Sequence, residues 1–253
     1  MGMNTEELEM LRDSLRALLD EIAPPKKVRE WDKADHVPPE LIRRFGEFGV
    51  TALAVDEEYG GVGRDVPALL VVIQEVAKRS MAMCSLVIHC TNYAGLNISE
   101  QGSEAQKREL LPRVARGELL FALGLSEPNV GADLPSVETR AELRGDKVII
   151  NGAKRWCTGA EISDYVYALV RSGPVEDRYK NLSFVLIPTD APGVSMTSTG
   201  TMGIRGIPTN DVVFEDVEVP VENILGGPEF WNKGWSQLAG PTLEVEKLSP
   251  STM

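Results

Sequence analysis

The feature of this sequence that most constrains its fold is a change in the spacing of apolar residues near residue 119. Between Thr5 and Ile22 apolar residues recur every three or four positions, which is the period of an amphipathic helix. From residue 119 onward the apolar runs are short, and turn residues separate them, as in antiparallel strands. Helices first and strands second predict an α+β chain with segregated layers, and they argue against alternating βαβ units.

The N-terminal part predicts a set of helices that differ in how much apolar surface they carry. The first, residues 5–22, has Thr5 as a candidate N-cap and should end at Pro24-Pro25. The stretch 67–98 is apolar on nearly every side, which is typical of buried helices. The amphipathic helices that precede this stretch can bury only part of its apolar surface. We therefore expect it to need further packing partners. The other predicted helices are residues 40–48 and 105–115.

Seven short apolar or alternating runs follow, and they predict the strands of a small antiparallel β-barrel. A hairpin is expected around residues 144–146, where a turn joins two alternating segments. A helical pattern returns after Gly226 and is short. The predicted strands are residues 119–123, 137–143, 147–151, 165–170, 182–187, 194–198 and 211–214.

Composition and charge exclude several classes of protein. The 253 residues suffice for about two domains, and 43% apolar with 25% charged residues is an ordinary globular composition. A net charge of −12 argues against nucleic acid as a partner and gives no basic patch for a membrane surface. The three cysteines form no metal or disulfide pattern, which favours reduced thiols and a cytoplasmic location. No apolar run is long enough for a membrane span.

Two polar turns are the candidate binding elements. Residues 123–136 combine the Ser126 hydroxyl with a Pro-Asn-Val-Gly turn, whose exposed N–H groups can hold a phosphate. Residues 154–159 place Trp156, a flat ring, beside the Thr158 hydroxyl. Together they offer the hydrogen-bond donors and the stacking face that a planar cofactor with a phosphate tail requires. Taken singly, the first also fits an ordinary strand end, and the second fits a core tryptophan beside a turn threonine.

The same residues carry a resemblance to a known family. Residues 125–133, Leu-Ser-Glu-Pro-Asn-Val-Gly-Ala-Asp, and the turn Trp156-Cys157-Thr158 are similar to the flavin segments of the acyl-CoA dehydrogenases. These flavoproteins use FAD to introduce a double bond between Cα and Cβ of an acyl-CoA. The likeness extends over the whole chain, and further matches lie in the same order at residues 57–61, 102–107, 202–205 and 214–220.

The resemblance implies three domains. They are an all-α N-terminal domain over residues 1–118, a flavin-binding β-barrel domain over 119–227 and, at 228–253, the start of a truncated C-terminal helical domain. Cover for the buried helices is then expected from the rest of that domain, from a partner chain or from self-association. A homo-oligomer, or a hetero-oligomer with a helical partner, is the expected assembly. Without such cover a large apolar patch would be exposed.

The resemblance assigns the first turn to the flavin ring and its tail. Ser126 and the backbone around Leu123 and Leu125 would hydrogen-bond the pyrimidine side of the flavin, which tunes its potential. Gly131 would let the backbone approach the cofactor tail closely. Many relatives have a serine at the next position, where it contacts phosphate or substrate. Here the residue is Ala132, which leaves its backbone N–H for either role.

The resemblance places the second turn against the flavin ring itself. Trp156 would pack on the ring, and Thr158 would point its hydroxyl at the redox-active nitrogen N5. Cys157, between them, would be a packing residue of the same contact. The resemblance includes no metal.

Three further ionisable residues are expected to be structural. Glu127 and Asp133 would hydrogen-bond amides of the loop that contains them. His89 lies in an apolar helix, so we expect it to be a core histidine with its hydrogen bonds satisfied.

The family chemistry needs a carboxylate base near the Cα of the substrate. In most relatives this glutamate lies later in the C-terminal domain than residue 253. In the isovaleryl and long-chain branch it lies on the first long C-terminal helix, in a segment resembling residues 243–248. Glu246 falls at that position, and Glu244 would point in a different direction on a helix. A solvated glutamate near a helix start is the alternative for Glu246.

Three functions stay open from the sequence. The first is FAD-dependent α,β-dehydrogenation of an acyl-CoA in fatty-acid and lipid metabolism, in a cleft completed by a partner chain or missing domain, with electron-transfer flavoprotein as electron acceptor. The second is a non-catalytic truncated or split subunit that binds flavin weakly or not at all. The third is a flavin oxygenase or enoyl-CoA reductase of the same superfamily.

Overall fold

The computed structural model describes residues 2–242, in which a helical part is followed by a seven-stranded sheet. This is the predicted order of layers, so the α+β class is confirmed. Glu246 lies outside the described residues. Among residues 2–242 no helix is both long and apolar enough to cross a membrane. The helices are α1 (Thr5–Ile22), α2 (Pro25–Ala34), α3 (Leu41–Phe48), α4 (Val66–Arg79), α5 (Met81–Ile88), a π-helix (His89–Leu96), α6 (Asn97–Gln101), α7 (Glu104–Ala115) and α8 (Gly234–Gln237).

The bounds of α1 are those predicted, but its N-cap and the element that follows it differ from the sequence prediction. The N-cap is Asn4 rather than Thr5, because the Asn4 side chain accepts hydrogen bonds from the N–H groups of Glu6 and Glu7. The Pro24-Pro25 pair follows the end of α1 as expected, and Pro25 also begins α2, a helix that was not predicted. Proline is tolerated in the first turn of a helix because the N–H that it lacks would have no partner there.

The buried helices are covered by the chain itself, which corrects the expectation that they lack cover. Ser80 divides the stretch into α4 and α5, and its hydroxyl accepts a hydrogen bond from the Met83 N–H. Helix α5 packs against α3 and α4, and α4 packs against α1. Every residue from Ala82 to Cys90 is buried, and no large apolar side chain of α4 or α5 is exposed. An uncovered apolar patch on these helices therefore gives no reason for self-association.

The sheet places two separate strands along one edge of β4. The strand order is β1-β4-β2-β3-β7-β6, and β5 pairs with the other edge of β4. Strands β1 and β2 run parallel to β4, whereas the sequence predicted a purely antiparallel sheet. The β2–β3 hairpin lies in the crossover connection that a parallel pair requires. The strands are β1 (Phe121–Gly124), β2 (Arg140–Arg144), β3 (Lys147–Thr158), β4 (Tyr165–Arg171), β5 (Leu182–Pro188), β6 (Val194–Thr199) and β7 (Thr209–Pro220).

Strand β4 joins the two hydrophobic cores. Tyr167 and Leu169 belong to the core shared with the helices, and Val166, Ala168 and Val170 belong to the core inside the sheet. Successive side chains of a strand point to opposite faces, so a strand buried on both faces is apolar at every position. The helical part is thereby fixed on one face of the sheet, and the polar segment between β1 and β2 lies at the junction.

Helices α1 and α4 are also joined by a buried carboxylate. The Glu75 side chain is 4% exposed and accepts hydrogen bonds from Arg12 at 2.8 Å, Arg16 at 2.9 Å and Lys78 at 2.7 Å. Burial by itself raises the pKa of Glu75, but its hydrogen bonds to Arg16, Lys78 and Arg12 outweigh burial and lower that pKa to about 2.

We expect Glu75→Gln to lower the free energy of unfolding by about 2 kcal/mol at pH 7. This loss of stability is smaller than that expected for a fully buried ion pair, because the Arg16 and Lys78 side chains are more than half exposed. The folded pKa lies below the unfolded one, so the contribution is complete above about pH 4.5 and disappears as the pH falls toward 2. Urea unfolding at several pH values measures the difference. The control, Glu21→Gln, removes the exposed pair with Arg44 and should change stability little; equal losses in both variants would contradict the prediction.

Candidate active site

The two turns predicted to bind a ligand lie side by side. The first leaves β1 after Gly124, and the second is the C-terminal part of β3. The Arg155 N–H donates a hydrogen bond to the Ser126 carbonyl at 2.8 Å. The Lys154 ammonium donates to the Leu125 carbonyl at 3.3 Å. The two segments therefore form one continuous wall, as a shared binding site requires.

A β-bulge in β3 aims Trp156 outward. Lys154 pairs with Val212 and Cys157 pairs with Asn210, so β3 contains one extra residue between these pairs. Lys154 and Cys157 are both fully buried, while Trp156 is 54% exposed. Strict alternation would instead have placed Trp156 on the same side as Lys154. Bulges re-aim side chains in this way, and they are common beside active sites.

The backbone of Trp156 is strained. Its φ is +61°, a conformation that costs a residue with a side chain about 1–3 kcal/mol. The Arg155 guanidinium lies over the indole, with Cζ 4.7 Å from the ring centroid. Strain of this kind persists where the surrounding structure imposes it, and it concentrates at functional sites.

A buried ion pair holds the two segments of this wall together inside the fold. Lys154 Nζ lies 2.8 Å from Glu127 Oε1, and both side chains are at least 97% buried. Glu127 also accepts hydrogen bonds from the N–H groups of Glu138, at 2.6 Å, and Thr139, at 3.0 Å. The pair thus joins the turn after β1 to β3 and to the residues that lead into β2. Glu127 thus accepts hydrogen bonds from loop amides, as predicted.

The pair determines the ionisation of both groups. Burial raises the pKa of Glu127, but Lys154 and the two N–H donors outweigh burial and hold that pKa below its usual value. Burial lowers the pKa of Lys154, and the Glu127 carboxylate opposes that shift. Removing one partner would leave the other charge buried and uncompensated.

A cavity of about 310 Å³ opens between this wall and the helical part. Helix α5 and the π-helix form the opposite side, and Ile204 contributes from the loop between β6 and β7. The Thr158 hydroxyl at the cavity lies 3.2 Å from the Thr209 hydroxyl. The lining residues are Ser85, Ile88, His89, Tyr93, Leu123, Leu125, Ser126, Arg155, Trp156, Thr158 and Ile204.

Of the eight residues predicted to bind the cofactor, five line this cavity and three do not. Leu123, Leu125, Ser126, Trp156 and Thr158 are on its wall. The other three are Gly131, Ala132 and Cys157: the Cys157 side chain is part of the core inside the sheet, and Gly131 and Ala132 lie in the exposed part of the first turn.

The helical part contributes lining residues that the sequence did not predict, and one residue there differs from its expected role. His89 is buried, as expected, but its Nδ1 has no hydrogen-bond partner among the described residues, so it is not the satisfied core histidine that was predicted. Ser85, Ile88 and Tyr93 had no sequence signal at all. Arg155 was within a predicted turn, and its position next to Trp156 was the only available hint.

The carboxylates near the first turn do not face the cavity. Asp133 accepts hydrogen bonds from the Ser136 hydroxyl and from Arg178, rather than from the loop amides that were expected. No aspartate or glutamate of residues 2–242 lines the cavity. In the same range no group of histidine, cysteine or acidic residues is suited to a metal ion. A carboxylate base is thus absent from the described part of the wall.

The chemistry of the wall fits the flavin that the resemblance implies. A planar heterocycle needs an apolar slot with a few polar atoms at its edge. Leu123, Leu125 and the exposed Trp156 ring give the apolar surface, and His89 Nδ1 is a buried polar atom in need of a partner. A Cβ on Gly131 would meet nothing within 4 Å, which leaves open space where a cofactor tail could approach.

Comparison with known proteins agrees with this geometry. The family model described as acyl-CoA dehydrogenase, N-terminal domain, matches residues 5–118, and that of the middle domain matches residues 122–217. A curated relative, (2S)-methylsuccinyl-CoA dehydrogenase of Cereibacter sphaeroides, is 35% identical over 243 residues, which are 92% of this chain and 44% of that protein.

Solved structures match the fold over almost the whole chain. The acyl-CoA dehydrogenase of Geobacillus kaustophilus is 27% identical with a TM-score of 0.89, over 99% of this chain and 66% of that one. A chain of the ChsE4–ChsE5 complex of Mycobacterium tuberculosis is 32% identical with a TM-score of 0.78, over 96% and 61%. The chain spans between 44% and 60% of the length of the curated relatives named glutaryl-CoA, (2S)-methylsuccinyl-CoA and other acyl-CoA dehydrogenases. Through its helical part and its sheet, this chain belongs to the acyl-CoA dehydrogenase family.

Proposed function

We propose that this chain binds FAD in the cavity between its helical part and its sheet, and that it takes part in the α,β-dehydrogenation of an acyl-CoA. The observation that supports the proposal most directly is the convergence of the two turns, through the hydrogen bond from Arg155 to Ser126 at 2.8 Å, on one cavity. FAD, when bound, supplies the acceptor for the hydride that leaves the substrate Cβ.

The residues of the wall have distinct tasks in this proposal. Ser126 and the backbone of Leu123 and Leu125 hold the polar edge of the flavin ring, Trp156 packs on the ring, and Thr158 presents its hydroxyl to the redox-active edge. The Lys154–Glu127 pair keeps the first turn in place beneath them. Gly131 and Ala132, in the exposed part of that turn, offer backbone N–H groups to the cofactor tail or to the substrate.

Proton abstraction from Cα needs a carboxylate that the described cavity lacks. We assign this task either to Glu246, which lies outside the described residues, or to a glutamate from a partner chain. The ChsE4–ChsE5 relative is itself a complex, which makes a hetero-oligomer with a helical partner a reasonable assembly for this chain. Electron-transfer flavoprotein remains the proposed electron acceptor.

The described cavity has no carboxylate, which is what a second candidate function would require: a non-catalytic subunit that binds flavin weakly or not at all. Equilibrium dialysis with FAD followed by a visible spectrum separates the possibilities. Bound FAD that bleaches anaerobically with an acyl-CoA supports dehydrogenation, and bound FAD that never bleaches supports the second candidate. Productive oxygen consumption would instead indicate a flavin oxygenase. Protein that stays colourless in excess FAD overturns the proposal.

We expect Trp156→Ala to weaken FAD binding about tenfold, because stacking on an aromatic ring contributes about 0.5–1.5 kcal/mol beyond the area it buries. Cys157→Ala is the matched control from the next position, since its side chain faces the core inside the sheet. It should bind FAD as the unchanged chain does, with a small loss of thermal stability. Fluorescence titration measures both variants, and equal affinities would contradict the stacking role.

A further inference from the structure

His89 is placed where the helical part meets the flavin wall. It begins the π-helix directly after α5, and its side chain is 4% exposed. Its imidazole lies 5.2 Å from the Tyr93 ring, centroid to centroid. A Cβ on Gly159 would come within 2.5 Å of His89 Cε1, so the ring also lies closely against the turn that contains Trp156 and Thr158.

One nitrogen of this ring is buried without a hydrogen-bond partner. That atom is Nδ1, which has no partner among the described residues. Burial lowers the pKa of His89 to about 4, so the ring is neutral near pH 7. A neutral imidazole has one N–H and one lone pair. With its proton on Nε2, the ring leaves Nδ1 as a buried acceptor.

An unsatisfied buried acceptor is costly, and the hydroxyls of Ser85 and Thr158 do not relieve it. The Ser85 hydroxyl donates to the Met81 carbonyl, at 3.2 Å. The Thr158 hydroxyl pairs with that of Thr209. Since His89 lines the cavity, a donor that enters the cavity is the remaining partner.

We propose that His89 is a ligand-binding residue, and that Nδ1 accepts a hydrogen bond from an N–H or O–H group of the bound flavin. The inference rests on the proposed FAD site and adds to it a contact from the helical part. Flavins offer such donors in the imide N–H of the ring and in the ribityl hydroxyls. The contact would make flavin binding depend on the position of α5 relative to the sheet.

Nitrogen NMR of the whole chain tests the contact directly. The chain has only two histidines, and His36 is exposed, so ¹⁵N-histidine labelling gives one test residue and one internal control. His36→Gln assigns the signals. On addition of FAD, the unprotonated nitrogen of His89 should move toward the position of a hydrogen-bonded acceptor, while His36 stays unchanged. Fluorescence of the same sample reports FAD binding independently of either histidine.

Two substitutions at position 89 separate binding from folding. His89→Gln keeps one donor and one acceptor, whereas His89→Leu removes both and keeps an apolar side chain of medium size. We expect His89→Leu to weaken FAD binding about tenfold, equivalent to about 1.4 kcal/mol, and His89→Gln to restore most of the affinity. Thermal unfolding of each variant without FAD shows whether the fold is retained. If His89→Leu does not fold, the NMR shift and the His89→Gln affinity decide.

The outcomes distinguish this inference from the function on which it rests. Failure of the unchanged chain to bind FAD overturns both. Binding of FAD with no change in the His89 nitrogen, and equal affinity in both variants, overturns the His89 contact alone. Such a result would mean that ordered water satisfies Nδ1 and that the flavin contacts only the sheet side of the cavity.

Discussion

Replacing Lys154 with methionine will lower the free energy of unfolding by about 3–5 kcal/mol. The substitution leaves the Glu127 carboxylate, 3% exposed, without the cation 2.8 Å away, and an uncompensated buried charge is among the most destabilising changes known. The first turn will also lose one of its hydrogen bonds to β3, because Lys154 donates to the Leu125 carbonyl. Urea unfolding with FAD absent measures the loss.

The same strand offers a matched control for Lys154. Lys147 in β3 pairs with Glu218 at 2.6 Å, but both side chains are 54% exposed, so Lys147→Met should change stability little. The double variant Lys154→Met/Glu127→Gln removes both charges and should be more stable than Lys154→Met alone. Similar losses for Lys147→Met and Lys154→Met would show that burial of the pair is unimportant.

The second large effect is expected for Gly159→Ala, which should cost about 2–4 kcal/mol and reduce FAD binding. Two effects lower the free energy of unfolding. The Gly159 φ is +72°, where a residue with a side chain costs about 1 kcal/mol. The new Cβ would also lie only 2.5 Å from His89 Cε1, which is a steric overlap. Pushing His89 away from the turn also changes the cavity wall next to Thr158. Thermal unfolding and FAD titration measure the two consequences.

Gly145 provides the control for Gly159. It has nearly the same backbone, with φ of +66°, but a Cβ there would meet nothing within 4 Å. Gly145→Ala should therefore show only the backbone cost and bind FAD normally. In the double variant Gly159→Ala/His89→Ala the overlap is gone, so part of the lost stability should return. If the two single glycine variants lose equal stability, contact with His89 has no role.

Local sequence patterns were sufficient to predict the order of helices and strands and to recognise the family. The period of apolar residues predicted α1 from Thr5 to Ile22 with its observed bounds, and it predicted the change to strands near residue 119. The two polar turns were recognised from residues only a few positions apart. Such features repeat within one element, so a single sequence shows them. The domain bounds and the flavin-contacting roles of individual residues stay predictions.

Contacts between distant parts of the chain could not be predicted from local sequence patterns. No local pattern indicated that β1 and β2 would share one edge of β4, or that α4 and α5 would find enough cover within the chain. The bulge was equally hidden, since the extra residue in β3 is defined only by its pairing with β7. Register across strands depends on the partner strand as much as on the strand itself.

By itself the sequence determined that helices precede a sheet, which family the chain resembles and where two candidate binding turns lie. Only the tertiary structure brought Lys154 to Glu127 inside the fold, turned Trp156 outward and set His89 against Gly159 with one nitrogen unsatisfied. The physical reason is that helix and strand periods arise from neighbouring residues, whereas burial and hydrogen-bond satisfaction depend on which distant residues the packed chain places around each group.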